Sequence, residues 1–374
     1  MTCPHQYLFL SWFLAVIFAV PLSQAGLEIW QGRRPQFLDV FPRAPTQAAL
    51  RAYERQLEDS STWARAVRPY VQSVWFNLLG EAGEKVIAGR DGWLFYRPDV
   101  RHLVEPSAGA EDPVAAIAGF RDQLKSRGSE LIVLHVPGKP AIHPEKLARR
   151  AGGGVRSPAL DTIARLRASG IEVVNLFELF GRKGGEPYYL PRDTHWSGRA
   201  ARLAAETVAH RIRELGWAGA GEVDYKLREL RVQRKSDIAR MIGLADTEEV
   251  LCEQVIRADN GELYRDDPNS AVLVLGDSFL RIYQTDEPRA AGFIAHLARE
   301  LRFPVTSIVN DGGASTLVRQ ELSRRPELLG GKRVVIWEFV ERDIRHGTEG
   351  WKPVPLPQWG RPFGLPQAEA PAPL

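Results

Sequence analysis

The sequence of 374 residues has little cysteine and almost no excess of charge. Its two cysteines, Cys3 and Cys252, are too few for a disulfide framework or a cysteine-ligated zinc site. The 49 Lys and Arg residues nearly balance the 46 Asp and Glu residues, and no dense basic run occurs, which excludes a typical nucleic-acid-binding protein. Hydrophobic residues make up 44% and charged residues 25%, so a disordered, fibrous or multi-pass membrane protein is excluded as well.

One uncharged apolar run stands near the N-terminus, over residues 7–20. Because about 20 apolar residues are needed to cross a bilayer, this run fits the hydrophobic part of a signal peptide better than a full membrane span. The small residues Ser23 and Ala25 are typical of a cleavage site. No Lys or Arg precedes the run, which leaves an uncleaved membrane anchor as the alternative. On both interpretations residues 1–25 direct the remaining chain across a membrane.

The rest of the chain divides into a helical lead-in over residues 26–88 and a region of alternating strands and helices over residues 89–350. The predicted strands are mostly apolar runs at 131–136, 171–177, 271–275, 305–309 and 333–339, and the predicted helices lie at 112–127, 157–168, 197–215, 289–302 and 315–329. Continuously apolar strands separated by helices are typical of a parallel sheet covered on both faces. The fold class is therefore α/β, with a doubly wound parallel sheet.

Two segments depart from this alternation. Residues 217–270 are polar and irregular, so they are interpreted as an insertion into the sheet domain. Residues 351–374 are rich in proline and have little apolar content, so a disordered tail is expected there.

The strand at 271–275 is followed by Gly276-Asp277-Ser278-Phe279. Ligands of open α/β sheets bind at the carboxyl ends of the strands, which is where Ser278 falls. Its own N–H, near the start of a helix, is suited to stabilise an oxyanion, although a serine at this place also serves as a simple helix cap.

Asp193 and His195 favour a chemical role for Ser278 over a simple helix cap. Residues i and i+2 of an extended stretch point to the same side, so Asp193 can hold one imidazole nitrogen of His195 and leave the other free. This pair also precedes a helix, with Ser197 as its N-cap, on the same side of the sheet as Ser278. Together the three residues predict a nucleophile, a base and an orienting acid.

Gly276-Asp277-Ser278-Phe279 resembles the first block of the SGNH (GDSL-type) esterases, and Asp193-Thr194-His195-Trp196 resembles their last block. The blocks occur in reversed order, as in the circularly permuted SGNH-like domains of the AlgJ/AlgX-type alginate O-acetyltransferases. The resemblance covers about residues 85–346. It implies that Ser278 is the nucleophile, His195 the base and Asp193 its orienter.

The resemblance implies less for the other site residues. The glycine block, an oxyanion donor, corresponds to Gly312 or Gly313, although an ordinary turn explains these residues nearly as well. The asparagine block has no counterpart, since Arg342 and its acidic neighbours stand there. Arg342 either binds an anion or the glycan, or forms an ion pair with Glu338 or Asp343.

Two further residues are candidates for substrate binding. Lys139 either lines the site or is a solvated loop lysine, and Tyr283 either faces a sugar or packs in the core. Trp196 is interpreted as a core residue behind the base. The histidines lack ligand spacing, so neither a metal nor another cofactor is expected.

The resemblance implies a periplasmic O-acetyltransferase that moves acetyl groups onto hydroxyls of an exported, alginate-like polysaccharide. The implied partners are the polysaccharide acceptor, a membrane-bound O-acyltransferase that supplies acetyl groups, and other proteins of polysaccharide biosynthesis and export. Two alternatives remain: a carbohydrate acetyl esterase with the same triad, and a non-catalytic glycan-binding or scaffold subunit of a secretion complex.

Overall fold

The computed structural model describes residues 4–40, 46–63, 66–67, 70–71, 83–105, 111–149, 156–182, 184–244, 247–346 and 350–357. The chain forms two compact units. The first comprises Met1–Glu81 with Ile242–Ala245, and the second comprises Ala82–Met241 with Asp246–Leu374.

The first unit is helical where it is described. Helix α1 (Pro4–Trp30) contains a stretch, Ser11–Trp30, that is long and apolar enough to cross a membrane, a property that signal sequences share. Helix α2 (Gln47–Ser60) begins where the Thr46 side chain accepts a hydrogen bond from the Ala49 N–H. A short 3₁₀ turn, Gln36–Val40, lies between them. Part of the predicted lead-in, including residues 72–82, lies outside the described residues.

The second unit contains all the described strands and the remaining helices. The strands are β1 (Val86–Ala88), β2 (Leu94–Tyr96), β3 (Glu130–Val136), β4 (Glu172–Asn175), β5 (Tyr225–Lys235), β6 (Thr247–Arg257), β7 (Val272–Gly276), β8 (Thr306–Val309) and β9 (Val334–Val340). The helices are α3 (Arg97–Val104), α4 (Pro113–Lys125), α5 (Lys139–Ile142), α6 (Pro144–Leu147), α7 (Ala159–Ala168), α8 (Phe177–Phe180), α9 (Gly198–Glu214), α10 (Asp237–Met241), α11 (Ser278–Arg281), α12 (Phe293–Leu301), α13 (Leu317–Arg324) and α14 (Asp343–His346).

The central sheet has the order β4-β3-β9-β7-β8, and each pair in it is parallel. Alternate residues of a strand point to opposite faces. On β3, Ile132 and Leu134 accordingly join a core with helices α9 and α12, whereas Leu131 and Val133 join a core with α4, α7 and α13. The five apolar runs thus form a sheet with helices on both faces, which confirms the predicted fold class.

The segment 217–270 is more regular than the sequence interpretation held. Strands β5 and β6 form an antiparallel ribbon of eleven residue pairs. The inner strand β6 places Val250, Cys252 and Val255 in the core, where Cys252 is a buried apolar contact. The outer strand β5 has no fully buried side chain, and its charged residues hid the strand pattern.

The proline-rich tail also differs from the expectation of disorder, because residues 351–357 pack on the domain. The Trp351 ring contacts Trp337 and Phe339, with ring centroids 5.7 and 5.1 Å apart. The Arg127 guanidinium donates to the carbonyls of Leu356 and Pro357. Prolines that remove backbone donors are therefore compatible with an ordered segment whose carbonyls are satisfied by side chains. Residues 358–374 lie outside the described residues.

Candidate active site

Ser278 lies at the carboxyl end of β7, at the first position of α11. The side chain of Asp277 caps this helix by accepting a hydrogen bond from the Phe279 N–H at 2.8 Å. Only glycine fits at position 276, because a Cβ there would collide with the carboxyl group of Glu338 from β9. The close approach of β7 to β9 thus fixes the turn, and Ser278 remains half-buried at its end.

Asp193 and His195 lie in a tight turn that leads into α9. Its two sides are joined by the Ser197 N–H, which donates to the Tyr188 carbonyl at 2.8 Å, and by the Leu190 N–H, which donates to the His195 carbonyl at 3.2 Å. The Ser197 hydroxyl accepts from the Ala200 N–H and caps α9, as the sequence predicted. The turn therefore holds the Asp193-to-His195 segment at the start of a long helix.

The structure brings the three predicted residues together. His195 Nε2 lies 2.9 Å from Ser278 Oγ, and His195 Nδ1 lies 2.6 Å from Asp193 Oδ1. These are hydrogen-bond distances for a nucleophile–base–orienter arrangement. The predicted convergence of the triad across 83 residues of chain is confirmed.

The charges around the triad determine how its protons are arranged. Burial alone would raise the pKa of Asp193, but the attraction and hydrogen bond of His195, together with the charge of Arg234, hold it below its usual value. Burial lowers the pKa of His195, and the opposing effect of Asp193 outweighs it, so that the pKa is raised overall. An ionised Asp193 can only accept, so Nδ1–H donates to it and Nε2 is left to accept the Ser278 hydroxyl proton.

Sequence reasoning missed two residues that contact Asp193: Arg234 on β5, and Asp237 at the start of α10, the short helix in the connection between the two strands of the β5–β6 ribbon. Its second carboxylate oxygen accepts from the Asp237 N–H at 3.1 Å and lies 3.4 Å from Arg234 Nε. Arg234 in turn lies 3.4 Å from the Asp286 carboxylate. Asp193 is thus held on one side by His195 and on the other by the ribbon.

The carboxyl group of Asp237 faces the same imidazole. It accepts from the Thr194 N–H at 2.7 Å and from the Thr194 hydroxyl at 2.5 Å, and its Oδ2 lies 3.6 Å from His195 Nδ1. Burial and the charge of Asp193 raise the pKa of Asp237. No sequence motif marks Arg234 or Asp237, since their positions depend on how the ribbon docks.

Asp193, His195 and Asp237 offer three potential metal ligands whose atoms lie within 4.8 Å of one another. His195 Nδ1 already carries the proton that it donates to Asp193, however, and the carboxyl oxygens of Asp237 accept from Thr194. A metal ion would have to displace that proton, which fits a hydrogen-bonded triad better than a metal centre.

The side chains of Ser278 and His195 reach an open cleft of about 590 Å³. Val232 and Gln233 line it together with four cationic and four acidic residues. The cationic residues are Arg234, Lys235, Arg240 and Arg281, and the acidic residues are Asp237, Asp286, Glu287 and Asp311. Several are paired, for example Arg281 with Asp286 and with Asp311. The cleft is therefore polar and wet, as suits a hydroxylated substrate.

The two glycines predicted as oxyanion donors are engaged in a turn. The Gly312 N–H donates to the Asn310 side chain at 2.9 Å, and the Gly313 N–H donates to the Asn310 carbonyl at 3.1 Å. The neighbouring Asp311 lines the cleft, whereas neither glycine does. Gly312 and Gly313 therefore form an ordinary turn, which was the alternative to their role as oxyanion donors.

Arg342 forms two ion pairs, one with the predicted Asp343 and a closer one with Asp99, which was not predicted. Its guanidinium donates to Asp99 Oδ1 at 3.0 Å, and Asp343 lies at 4.0 Å. The charges of Asp99, Asp343 and Asp277 outweigh the effect of burial and raise its pKa. Arg342 is therefore better described as an ion-pair residue than as a cation that is available to bind a glycan.

Tyr283 and Lys139 are both too deeply buried to contact a sugar. Tyr283 is fully buried and its hydroxyl donates to the Trp196 carbonyl at 3.2 Å, so its prediction as a substrate-binding residue is wrong. Trp196 is a core residue behind the base, as expected. Lys139 is 1% exposed, so it is neither a solvated lysine nor a lining residue of the cleft.

A parallel sheet with a serine, a histidine and an aspartate near its carboxyl edge is shared by several α/β hydrolase folds, of which the SGNH hydrolase-like domain is one. Residues 86–341, more than half of the chain, match the family described as the SGNH hydrolase-like domain of the acetyltransferase AlgX. The chain belongs to this family.

Among individual relatives, the chain is 34% identical over 140 residues to the probable alginate O-acetylase AlgJ of Pseudomonas aeruginosa, covering 37% of this chain and 34% of that protein. It is 26% identical over 275 residues to the alginate biosynthesis protein AlgX of the same organism, covering 68% of this chain and 55% of that protein. The chain thus spans about a third and about half of the length of these two relatives.

Among solved structures, the O-acetyltransferase domain of Pseudomonas putida AlgJ is similar, with a TM-score of 0.57 and 23% identity over 70% of this chain and 92% of that chain. A structure of Pseudomonas aeruginosa AlgX has a TM-score of 0.54 and 21% identity, over 68% of this chain and 61% of that chain. At these identities the likeness supports the shared fold.

Proposed function

We propose that the chain is a periplasmic O-acetyltransferase that moves acetyl groups onto hydroxyls of an exported, alginate-like polysaccharide. The observation that carries this proposal is the hydrogen-bonded series from Asp193 through His195 to Ser278, in a member of the AlgX acetyltransferase family. An activated serine that opens onto a polar cleft is suited to carry an acyl group between two oxygen nucleophiles.

In the first half-reaction, Ser278 Oγ attacks the carbonyl carbon of an acetyl donor while His195 Nε2 accepts the hydroxyl proton. The bond from the acetyl carbon to the leaving oxygen then breaks, and His195 passes its proton to that oxygen. The product is an acetyl ester on Ser278. Asp193 stabilises the imidazolium that forms between the two proton transfers.

In the second half-reaction, a sugar hydroxyl attacks the acetyl carbon of the ester. His195 Nε2 accepts the proton of the sugar hydroxyl, the bond from the acetyl carbon to Ser278 Oγ breaks, and the proton returns to that oxygen. The acetyl group is then on the polysaccharide and the serine is restored.

Water can replace the sugar as the acceptor, which gives a carbohydrate acetyl esterase as a second candidate. The open cleft favours this alternative, since solvent reaches Ser278 in the free protein. Transfer requires that the bound polysaccharide excludes this water from the acyl-serine.

The names of the relatives support the choice of acceptor, since two of them are an alginate O-acetylase and an alginate biosynthesis protein. Helix α1 supports export, with Ser11–Trp30 acting either as a signal or as an anchor in the inner membrane. Because acetyl-CoA is a cytoplasmic donor, a membrane-bound O-acyltransferase is the proposed source of acetyl groups, next to other polysaccharide export proteins.

The test combines the purified chain with a chromogenic acetyl ester, with and without oligomers of uronic acid. Release of the chromogenic alcohol reports acylation of Ser278, and mass spectrometry of the oligomer reports transfer. We expect acetylated oligomers from the wild-type chain and neither reaction from Ser278→Ala, with a loss of at least about 10³-fold. Ser323→Ala, whose hydroxyl donates to the Pro355 carbonyl, is the control and should keep both activities.

Ester cleavage without acetylated oligomer would assign the esterase function instead. Normal polysaccharide acetylation in cells that produce Ser278→Ala at the wild-type level would overturn both enzymatic functions and leave the scaffold role.

A further inference from the structure

Lys139 is a buried lysine that the proposed chemistry does not use. Its ammonium donates to three backbone carbonyls, those of Leu94 at 2.6 Å, Pro191 at 2.8 Å and Asp193 at 3.0 Å. An ammonium has three donors and no acceptor, so every N–H of Lys139 has a partner. The lysine thus joins strand β2 to the turn that carries Asp193 and His195.

Burial makes the charge of this lysine costly to keep, since it lowers the pKa of Lys139 to about 7 against the opposing attraction of Asp193. Two aromatic rings offset part of that cost, because Nζ lies 5.1 Å from the ring centroids of both Trp93 and Phe95, whose faces attract a cation. A neutral amine would have two donors for three carbonyls, which leaves one carbonyl without a partner. The three carbonyls therefore require the full ammonium.

The contact with Asp193 is the one that bears on the reaction. The carboxylate of Asp193 accepts from His195 Nδ1 at 2.6 Å, while its backbone carbonyl accepts from Lys139 on the other side. A displacement of the Asp193 peptide would move its carboxylate and, through it, the imidazole. A catalytic group that is displaced by about 1 Å can lose about 100-fold in rate.

Resting on the proposed function, we infer that Lys139 is a positioning residue: its ammonium fixes the backbone of Asp193 so that His195 points at Ser278. It touches neither substrate nor reacting atoms and acts through Asp193.

The same chain contains a matched control. Lys332 is also buried, and its ammonium donates to the carbonyls of Pro268 at 2.7 Å and Ser270 at 2.6 Å. It precedes β9, and Ser270 precedes β7, so this lysine lies at the amino ends of the strands, opposite the triad. A purely structural role for buried lysines predicts the same consequences at both positions.

The experiment compares Lys139→Met and Lys332→Met with the wild-type full-length chain in detergent. Both variants should have a lower Tm. In acetyl-ester hydrolysis, Lys139→Met should lose about 10- to 100-fold in kcat with little change in KM, since the geometry of the base changes and the cleft does not. Lys332→Met should keep kcat within about twofold of the wild type, a much smaller change than a displaced base would cause.

A proton NMR spectrum gives a readout that does not depend on activity. The short bond from His195 Nδ1–H to Asp193 should produce a far-downfield resonance, assigned by its absence from His195→Gln. We expect this resonance to be lost or shifted upfield in Lys139→Met and retained in Lys332→Met. If Lys139→Met does not fold, Lys139→Gln keeps amide donors in the same space and serves as the second variant.

Equal loss of kcat in both methionine variants, or an unchanged resonance and kcat in Lys139→Met, would overturn the inference. If the wild-type chain cleaves no ester, the proposed function fails by itself, and the resonance still decides whether Lys139 positions His195.

Discussion

The sheet and the β5–β6 ribbon contribute different things to the site. The sheet carries Ser278 at the end of β7, and the turn before α9 carries Asp193 and His195. The ribbon, taken together with the helix α10 that lies in the connection between its strands, supplies Arg234 and Asp237, which contact Asp193 and do not contact Ser278 by any hydrogen bond among the described residues. The sheet thus brings together the groups that react, and the ribbon sets the charge and orientation of one of them.

The comparison indicates that one part of the chain can hold the triad while another part adjusts its pKa values and geometry. Residues that exchange protons or form bonds should be intolerant of substitution, whereas residues of the ribbon should change rate and pH dependence by smaller amounts. Substitutions on the two sides of Asp193 can sharpen this comparison or break it.

The largest effect should come from Asp193→Asn. The amide keeps the shape but removes the charge that stabilises the imidazolium, and it favours the wrong tautomer of His195. We expect kcat/KM for acetyl-ester hydrolysis to fall by about 10⁴-fold, as the same change does in serine proteases. A loss no larger than that of the ribbon variant Asp237→Asn would mean that the two carboxyl groups share the role, and the comparison would fail.

Smaller and opposite effects are expected within the ribbon. Burial lowers the pKa of His195, Asp193 and then Asp237 raise it, and Arg234 lowers it. The base must be neutral to accept a proton, so kcat/KM rises with pH through this pKa. Asp237→Asn should therefore move the rising limb of the pH profile to lower pH, and Arg234→Met should move it to higher pH.

The measurement is kcat/KM against pH for the two ribbon variants, with Arg231→Met as control, since Arg231 pairs with the exposed Glu249 on the same ribbon. At the high-pH plateau we expect kcat/KM to fall about tenfold for Asp237→Asn and for Arg234→Met, which is less than a full displacement of the base would cause. Shifts in the same direction for Asp237→Asn and Arg234→Met would show that the ribbon acts by packing and not by charge.

The smallest effect should come from Tyr283→Phe, inside the sheet domain. Its hydroxyl donates to the Trp196 carbonyl in the core, so its loss should lower the free energy of unfolding by about 1 kcal/mol. Urea denaturation measures this, and the KM for the polysaccharide should stay unchanged. A raised KM with unchanged stability would restore Tyr283 as a sugar-binding residue.

The sequence predicted the sheet and the triad because both have local signals. The strands are runs of apolar residues, and Asp193, His195 and Ser278 stand within a few residues of a strand end or helix start, so their convergence follows from parallel topology. The ribbon had no such signal. Its outer strand faces solvent, and its inner strand is apolar only where it meets the core.

Other errors arose where a residue type suits two environments. Lys139 was interpreted as a surface or site lysine, since nothing in the sequence shows that three carbonyls converge on its ammonium. For Arg342 the sequence predicted a pair with an acid close in sequence, and Asp343 is such a partner at 4.0 Å, but its nearest partner, Asp99, comes from a helix distant in sequence and was missed. Such pairings depend on tertiary packing and not on spacing.

The strand order has a consequence for how the protein is made. Strand β9 lies between β3 and β7, yet it is the last of the five to be synthesised. Until it arrives, β4–β3 and β7–β8 are two separate ribbons, and isolated two-stranded ribbons are at best marginally stable in water. His195 precedes β7 and Ser278 follows it, but only the joined sheet holds them together. A nascent chain that ends before Val334 thus contains Asp193, His195 and Ser278 without the joined sheet, so the triad can assemble only after β9 has been added.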